Sequence, residues 1–261
     1  MKYFDTHAHY YDERFAEELN GSVDDLIDAL LSESLVAVVN VGTSPDTCRA
    51  AVEQAKKHEN MFTALGIHPS DTRFLSDMES ELAEVEAMLL DPDCRAVALG
   101  EIGLDYHYPD TDKERQMRYF VAQMELAERL SLPVVIHDRD AHGDVMDVIR
   151  KFPRVTGILH SFSGSVEMAR ELVERGYYIS FSGTLTFTNA KKPREVAASV
   201  PRDRILIETD CPYLAPHPKR GTLNHSGNLV YTNATLASVL GITEEEAAAL
   251  TENNARRVFG L

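Results

Sequence analysis

"AVALGEIGLD", residues 96–105, is apolar for most of its length and yet carries two acids. A strand wetted on one side alternates apolar and polar residues, whereas a strand covered on both faces reads as a continuous apolar run. The stretch therefore predicts a strand inside a parallel sheet, with Glu101 and Asp105 toward its C-terminal end. Seven further runs read in the same way: "YFDTHAH" (3–9), "LVAVVNVG" (35–42), "FTALGIH" (62–68), "PVVIHD" (133–138), "TGILHSF" (156–162), "YYISFSG" (177–183) and "ILIETD" (205–210). Amphipathic stretches fill the gaps. The clearest lies around 112–130, where Met117, Phe120, Val121, Met124, Ala127 and Leu130 recur at helical spacing. Ser44 and Pro45 supply an N-cap and a first-turn proline for a helix over 45–58. Thr243 and Glu246 have capping-box spacing ahead of the closing helices. Eight strands alternating with helices predict a TIM (β/α)8 barrel.

The chain has 261 residues, close to the roughly 250 that one such barrel needs. No linker or shift of composition divides it, so a single domain over residues 1–261 is expected. No apolar run reaches the roughly 18 residues of a membrane span. The start "MKYFDTHAH" turns polar at its fifth residue and lacks the apolar middle of a signal peptide. The three cysteines, Cys48, Cys94 and Cys211, have no C-x-x-C spacing. That argues against a cysteine zinc site and a disulfide framework, and points to a reducing, cytoplasmic setting. The formal charge of −16 argues against a wide basic groove that grips nucleic acid along its backbone. It leaves open a pocket that takes in one phosphodiester end, because bound cations can dominate the local field.

In a barrel the C-terminal strand ends converge on one mouth. The expected strands bring His7 and His9, His68, Glu101 and Asp105, His137, His160 and Asp210 to that mouth. Residues two apart in a strand share a face, so His7 and His9 point the same way. A lone histidine at a strand end is usually a hydrogen-bonded structural residue. Four histidines with a glutamate and an aspartate are not, because burying so many ionisable groups needs compensating cations. Six ligands exceed the three that a mononuclear catalytic site uses. They suit two divalent ions: one on His7, His9 and Asp210, one on His137 and His160, with Glu101 as the bridge. Four imidazoles favour Zn, Mn, Co or Fe over Mg. Such a pair activates a shared water and stabilises a developing oxyanion, and Asp210 is placed to accept the water's proton.

The blocks "FDTHAH", "ALGIHPSD", "GEIGLDYHY", "PVVIHDRDA", "ILHSFSGS", "IETDCPYLAP", "RGTLNHSGNL" and "NARRVFGL" resemble, in order, the TatD family of metal-dependent hydrolases and deoxyribonucleases. The resemblance runs from residue 4 to the C-terminus. It implies a TIM barrel of the amidohydrolase superfamily and a phosphodiester hydrolase, several members being DNA exonucleases. It implies the ligand set His7, His9, Glu101, His137, His160 and Asp210, the same set that the strand ends select. Many related dinuclear enzymes bridge their metals with a carbamylated lysine at the fourth strand, where "GEIGLD" offers only Glu101. The chain departs from the family at Asp138 and Cys211, where serine is commoner, and at His225 and Ser226, where glutamate and proline are usual. The last pair falls in a loop expected to border the substrate.

The resulting expectation is a hydrolase of phosphodiester bonds in DNA, acting on single strands or ends, with no membrane and no obligate protein partner. Asp210 and Glu101 are its catalytic carboxylates, and His68 donates to the scissile phosphate or its leaving group. Arg139 and Arg220 are candidate phosphate contacts, with pairing to Glu208 the alternative for Arg139. Asp5 and Asp105 are expected to orient ligating histidines, and Cys211 to be a bystander. Hydrolysis of another ester or amide, such as an acyl-tRNA or a small metabolite, is the alternative activity. A non-catalytic metal-binding protein is the alternative class.

Overall fold

The structure, a computed structural model, describes residues 1–261. Eight parallel strands pair in sequence order. They are β1 (Tyr3–Ala8), β2 (Leu35–Gly42), β3 (Met61–Leu65), β4 (Ala96–Asp105), β5 (Val134–Arg139), β6 (Gly157–Leu159), β7 (Tyr178–Phe181) and β8 (Ile205–Ile207). The sheet closes between its first and last strands. Ala8 bridges Cys211, the Asp210 amide donates to the His7 carbonyl at 2.9 Å, and the His9 amide donates to the Cys211 carbonyl at 2.8 Å. This is the expected TIM barrel. No helix is long and apolar enough to cross a membrane.

Side chains on the two faces of the strands form two separate apolar clusters. The smaller joins Phe4, Ala37, Val39, Val41, Ala64, Ala98, Val135, Ile158, Tyr178 and Leu206, one phase of every strand, and lies inside the barrel. The larger sets Val38, Met61, Leu65, Leu99, Ile136, Leu159, Ile179 and Ile207 against helix residues such as Phe15, Ile27, Val52, Phe120 and Met124. Phe259 of the helix Glu244–Phe259 stacks on Phe4 at 5.9 Å and packs with the inner cluster. Both predicted N-terminal helix signals form. Ser44 and Thr47 make a capping box at Pro45–Ala55, and Thr243 and Glu246 make one at Glu244–Phe259. The amphipathic stretch at 112–130 is the helix Lys113–Leu130.

Several strands are shorter than their apolar runs. β3 ends at Leu65, β6 at Leu159 and β8 at Ile207, so His68, His160 and Asp210 stand in the turns that follow. Single backbone bonds still tie them to the preceding or closing strand: the amides of His68, His160 and Asp210 donate to the carbonyls of Thr43 (2.8 Å), Ile136 (3.1 Å) and His7 (2.9 Å). The inward phase nevertheless carries over them: Ala64 leads by twos to Gly66 and His68, Val135 to His137, Ile158 to His160, and Leu206 to Glu208 and Asp210.

Two ligand-bearing strands change phase on the way. The β1–β2 register slips between Asp5 and Ala8, and the β4–β5 register slips between Gly100 and Ile102. An extra residue in a strand re-aims the side chains beside it. The slips sit at His7 and at Glu101, which turns both toward the mouth. The second depends on close backbone approach. A Cβ at Gly103, whose φ is +137°, would lie 2.0 Å from the His137 carbonyl oxygen.

Candidate metal centre

His7 and His9 bring their Nε2 atoms to 3.1 Å of each other, and His137 Nδ1 and His160 Nε2 approach to the same distance. Glu101 stands between the two pairs. Its Oε1 is 2.8 Å from His137 Nδ1 and 2.7 Å from His160 Nε2. Its Oε2 is 3.3 Å from His7 Nε2 and 3.8 Å from His9 Nε2. Asp210 Oδ1 completes the first pair, 3.4 Å from His9 Nε2 and 3.8 Å from His7 Nε2. His7, His9, Glu101 and His160 are buried, while His137 and Asp210 retain some exposure at the cavity wall.

The outer nitrogens decide what these contacts mean. His9 Nδ1 donates to the Val41 carbonyl at 2.7 Å, His160 Nδ1 to Glu208 Oε1 at 3.2 Å, and His137 Nε2 to Asp105 Oδ2 at 3.3 Å. In the neutral imidazoles, with those protons outside, the nitrogens facing inward carry lone pairs and meet a carboxylate. Such an arrangement is repulsive unless positive charge lies between, and outer acceptors of this kind are what fixes metal-ligating imidazoles. His7 is the exception, its buried Nδ1 having no partner among the protein groups.

In the metal-free chain a proton supplies that positive charge. Burial opposes charge on His160, but Glu101 and Glu208 together hold its affinity for a proton well above the usual histidine range. Burial opposes ionisation of Glu101 too, and the imidazoles of His160, His68 and His7 outweigh it, keeping the carboxyl well below its ordinary value. Asp210 is likewise lowered against its burial, chiefly by the His9 hydrogen bond. The centre thus holds anionic carboxylates and draws cations. Three overlapping groups of donors here are close enough to hold metal ions: His7, His160 and Asp210; His7, His9 and Glu101; and His68, Glu101 and His137. By donor chemistry, by lone-pair direction and by charge, the residues fit divalent cations.

His68 stands beside this set, its Nε2 3.6 Å from Glu101 Oε1. Its Nδ1 accepts the Ser70 amide at 3.1 Å, which places the proton on Nε2. Burial drives its pKa down to about 3, so His68 is a neutral donor rather than a cation. The centre floors a cavity of about 890 Å³, lined among others by His68, Asp71, Tyr108, Arg139 and Tyr213.

Other sequence expectations are placed differently. Arg139 does not pair with Glu208, whose Oε1 takes His160 and the Ser161 amide (2.8 Å); its guanidinium lies 5.6 Å over the Tyr108 ring at the cavity wall. Arg220 stacks over Phe187 at 4.0 Å and does not line the cavity. Asp105 orients His137 as expected, its Oδ2 3.3 Å from His137 Nε2. Asp5 orients no imidazole. It accepts from the Thr209 amide and hydroxyl and from Ser226 Oγ, binding β1 to the chain beyond β8. Ser226, with Tyr10 at 2.6 Å, is fully buried in that network, so the 225–226 departure changes a structural tie behind β1 and not the cavity wall. Cys211 is buried and burial pushes its thiol far above the range in which a thiolate forms, which removes it as a nucleophile. Sequence reasoning missed Glu208 as the partner of His160. The signal was its spacing, two residues before Asp210 on the same inward phase.

Residues 4–260 match the model of the TatD related DNase family. An uncharacterized metal-dependent hydrolase of Bacillus subtilis (strain 168), YabD, is 39% identical over 258 residues, with 98% of each chain covered. The uncharacterized metal-dependent hydrolase TatD of Mycobacterium tuberculosis is 36% identical over 246 residues, with 92% of each covered. Among solved structures, the TatD homolog YjjV of Escherichia coli K12 superposes with a TM-score of 0.89 at 28% identity, over 99% of this chain and 98% of that one.

Proposed function

This chain belongs to the TatD-related DNase family of metal-dependent hydrolases, and from that membership and the site together we propose that it removes nucleotides from the ends of DNA by hydrolysing phosphodiester bonds. The observation that carries the reading is the divided carboxylate of Glu101, one oxygen toward each histidine pair. It supports two divalent ions, one held by His7, His9 and Asp210, the other by His137 and His160, with Glu101 shared. Zn, Mn, Co and Fe suit the four imidazoles, and Mg suits the carboxylates. Bound there, divalent ions supply water activation and charge neutralisation at the phosphoryl oxygens.

The remaining work falls to this chain's own groups. The Asp210 carboxylate, held ionised by His9 and open to the cavity, takes the proton of the attacking water. Glu101 stays anionic and keeps the two halves of the centre in register. His68 presents Nε2–H, fixed by the Ser70 amide behind it, to a phosphoryl oxygen or the leaving oxygen. Arg139 is the guanidinium at the wall that can meet a phosphate.

The test is turnover of an end-labelled single-stranded oligonucleotide by metal-stripped protein reloaded with Mg or Mn, with Glu101→Ala and Asp210→Asn alongside. Stepwise shortening from one end, lost in both variants, is the expected result. Absence of cleavage with every metal would overturn the substrate assignment and move the search to acyl-tRNA and small-metabolite esters.

A further inference from the structure

We propose that the substrate is gripped by its bases rather than by its backbone, with Tyr213 stacking on a base at one side of the scissile bond and Phe74 and Tyr108 stacking at the other. This rests on the nucleic-acid reading of the site and deepens it. Large apolar side chains exposed on this chain are Met1, Phe74, Leu90, Tyr108, Tyr213, Val230 and Leu261. The aromatic ones among them, Phe74, Tyr108 and Tyr213, all line the cavity over the metal centre. Scattered exposed rings carry no message; rings confined to one mouth do. Phe74 is the extreme case, 73% exposed at a position where folding draws no benefit from it.

Each ring is braced by an arginine. Arg73 lies 4.6 Å over Phe74, Arg139 5.6 Å over Tyr108, and Arg14 5.6 Å over Tyr213. Tyr213 is further fixed by its hydroxyl, which donates to Asp12 Oδ2 at 2.6 Å. Braced rings lose little freedom when a base settles on them, and arginine planes add to the stack. The topology sets the spacing. Phe74 and Tyr108 follow β3 and β4, Tyr213 follows β8, and in a closed barrel of this strand order β8 stands across the mouth from β4. The metal centre lies between them, with the Tyr213 ring 6.4 Å from that of His9.

Charge excludes the competing mode. Apart from the centre itself, the wall carries Asp12, Asp46, Asp71, Glu81 and Glu84. Its arginines are Arg49, already paired with Asp46 and Glu84, and Arg139. Backbone recognition needs a run of free cations. Of the arginines that brace the rings, Arg14 is paired with Glu18 and Arg73 is exposed, so with Arg139 the mouth offers at most two phosphate contacts away from the centre, and affinity must come mainly from stacking, which ignores both charge and base identity.

The experiment is binding of a phosphorothioate-linked single-stranded trinucleotide carrying 2-aminopurine, read by its fluorescence. Stacking on the wild-type chain is expected to quench the probe. The dissociation constant should rise only about three- to sevenfold between roughly 50 and 200 mM salt, the dependence of one or two phosphate contacts. Phe74→Ala and Tyr213→Leu should each weaken binding about tenfold, within the range for one lost base stack. Phe74→Tyr should bind as wild type does, which a merely disturbed loop would not allow. A trinucleotide with abasic ends should bind weakly and equally to all variants. An unquenched probe, or variants that bind like wild type, would overturn the proposal even if DNA is cleaved. Quenched binding without cleavage under any metal would support it and overturn the hydrolytic reading alone.

Discussion

Replacing Gly103 by alanine perturbs the fold and the metal centre at one point. The residue has φ of +137°, and the added Cβ would lie 2.0 Å from the carbonyl oxygen of His137. A non-glycine residue held in that region of backbone space costs about 1–3 kcal/mol. Relieving the clash means pushing β5 off β4, an overpacking cost of about 1–3 kcal/mol more. The expected loss is therefore about 2–6 kcal/mol, a large part of the roughly 5–15 kcal/mol that holds a domain together. Because the displaced carbonyl belongs to His137, divalent-metal affinity should fall as well. Urea unfolding of the metal-free protein measures the first effect, and calorimetric titration with Mn the second. Gly143→Ala is the control. Nothing lies within 4 Å of its added Cβ, and it opens the helix His142–Lys151, so it should be stabilising by about 0.4–1 kcal/mol. A loss below about 1 kcal/mol for Gly103→Ala would refute the close β4–β5 approach and with it the account of how Glu101 and His137 meet.

Glu208→Gln keeps a carbonyl acceptor for His160 but removes the charge behind it, so Mn affinity should fall about 10- to 100-fold in a calorimetric titration. Unchanged affinity would remove Glu208 from the site. Burial lifts the Asp5 carboxyl from 3.8 to about 6, so folding holds its proton and the ionised form is disfavoured. Stability from this group is present below the unfolded value and declines as pH rises toward 6, a penalty of about 3 kcal/mol once complete. Asp5→Asn cannot ionise, so its metal-free stability relative to wild type should improve by about 2–3 kcal/mol from pH 4 to pH 7; a flat difference would contradict this. Cys211→Ala should keep full turnover, and thiol reagents should leave the native protein active, because the side chain is buried and protonated.

The barrel was legible because its strands announce themselves twice, as apolar runs and as carriers of chemistry. "AVALGEIGLD" matches β4 residue for residue, and "LVAVVNVG" matches β2. The runs over β3, β6 and β8 read too long, since apolar character continues past the regular ladder into turns tied to their neighbours by single backbone bonds. That error left the site intact, because those bonds carry the two-residue phase past the strand ends and still aim His68, His160 and Asp210 inward. What the sequence concealed was long-range pairing. Asp5 looks like a histidine's neighbour, yet its partners Thr209 and Ser226 are more than 200 positions away. Glu208 could not be matched to His160, nor Arg220 to Phe187, before the barrel was closed. The aromatic rim was equally silent, since Phe74, Tyr108 and Tyr213 read as ordinary loop residues until three loops share one mouth.

The account turns on Glu101 joining two cation sites. Titrating the metal-stripped protein with Mn while recording its electron paramagnetic resonance tests that directly. Two ions per chain with an exchange-coupled spectrum, lost in Glu101→Gln while individual ions still bind, is the outcome the proposed dinuclear reading predicts. A single ion per chain, or two that remain magnetically independent, would contradict it.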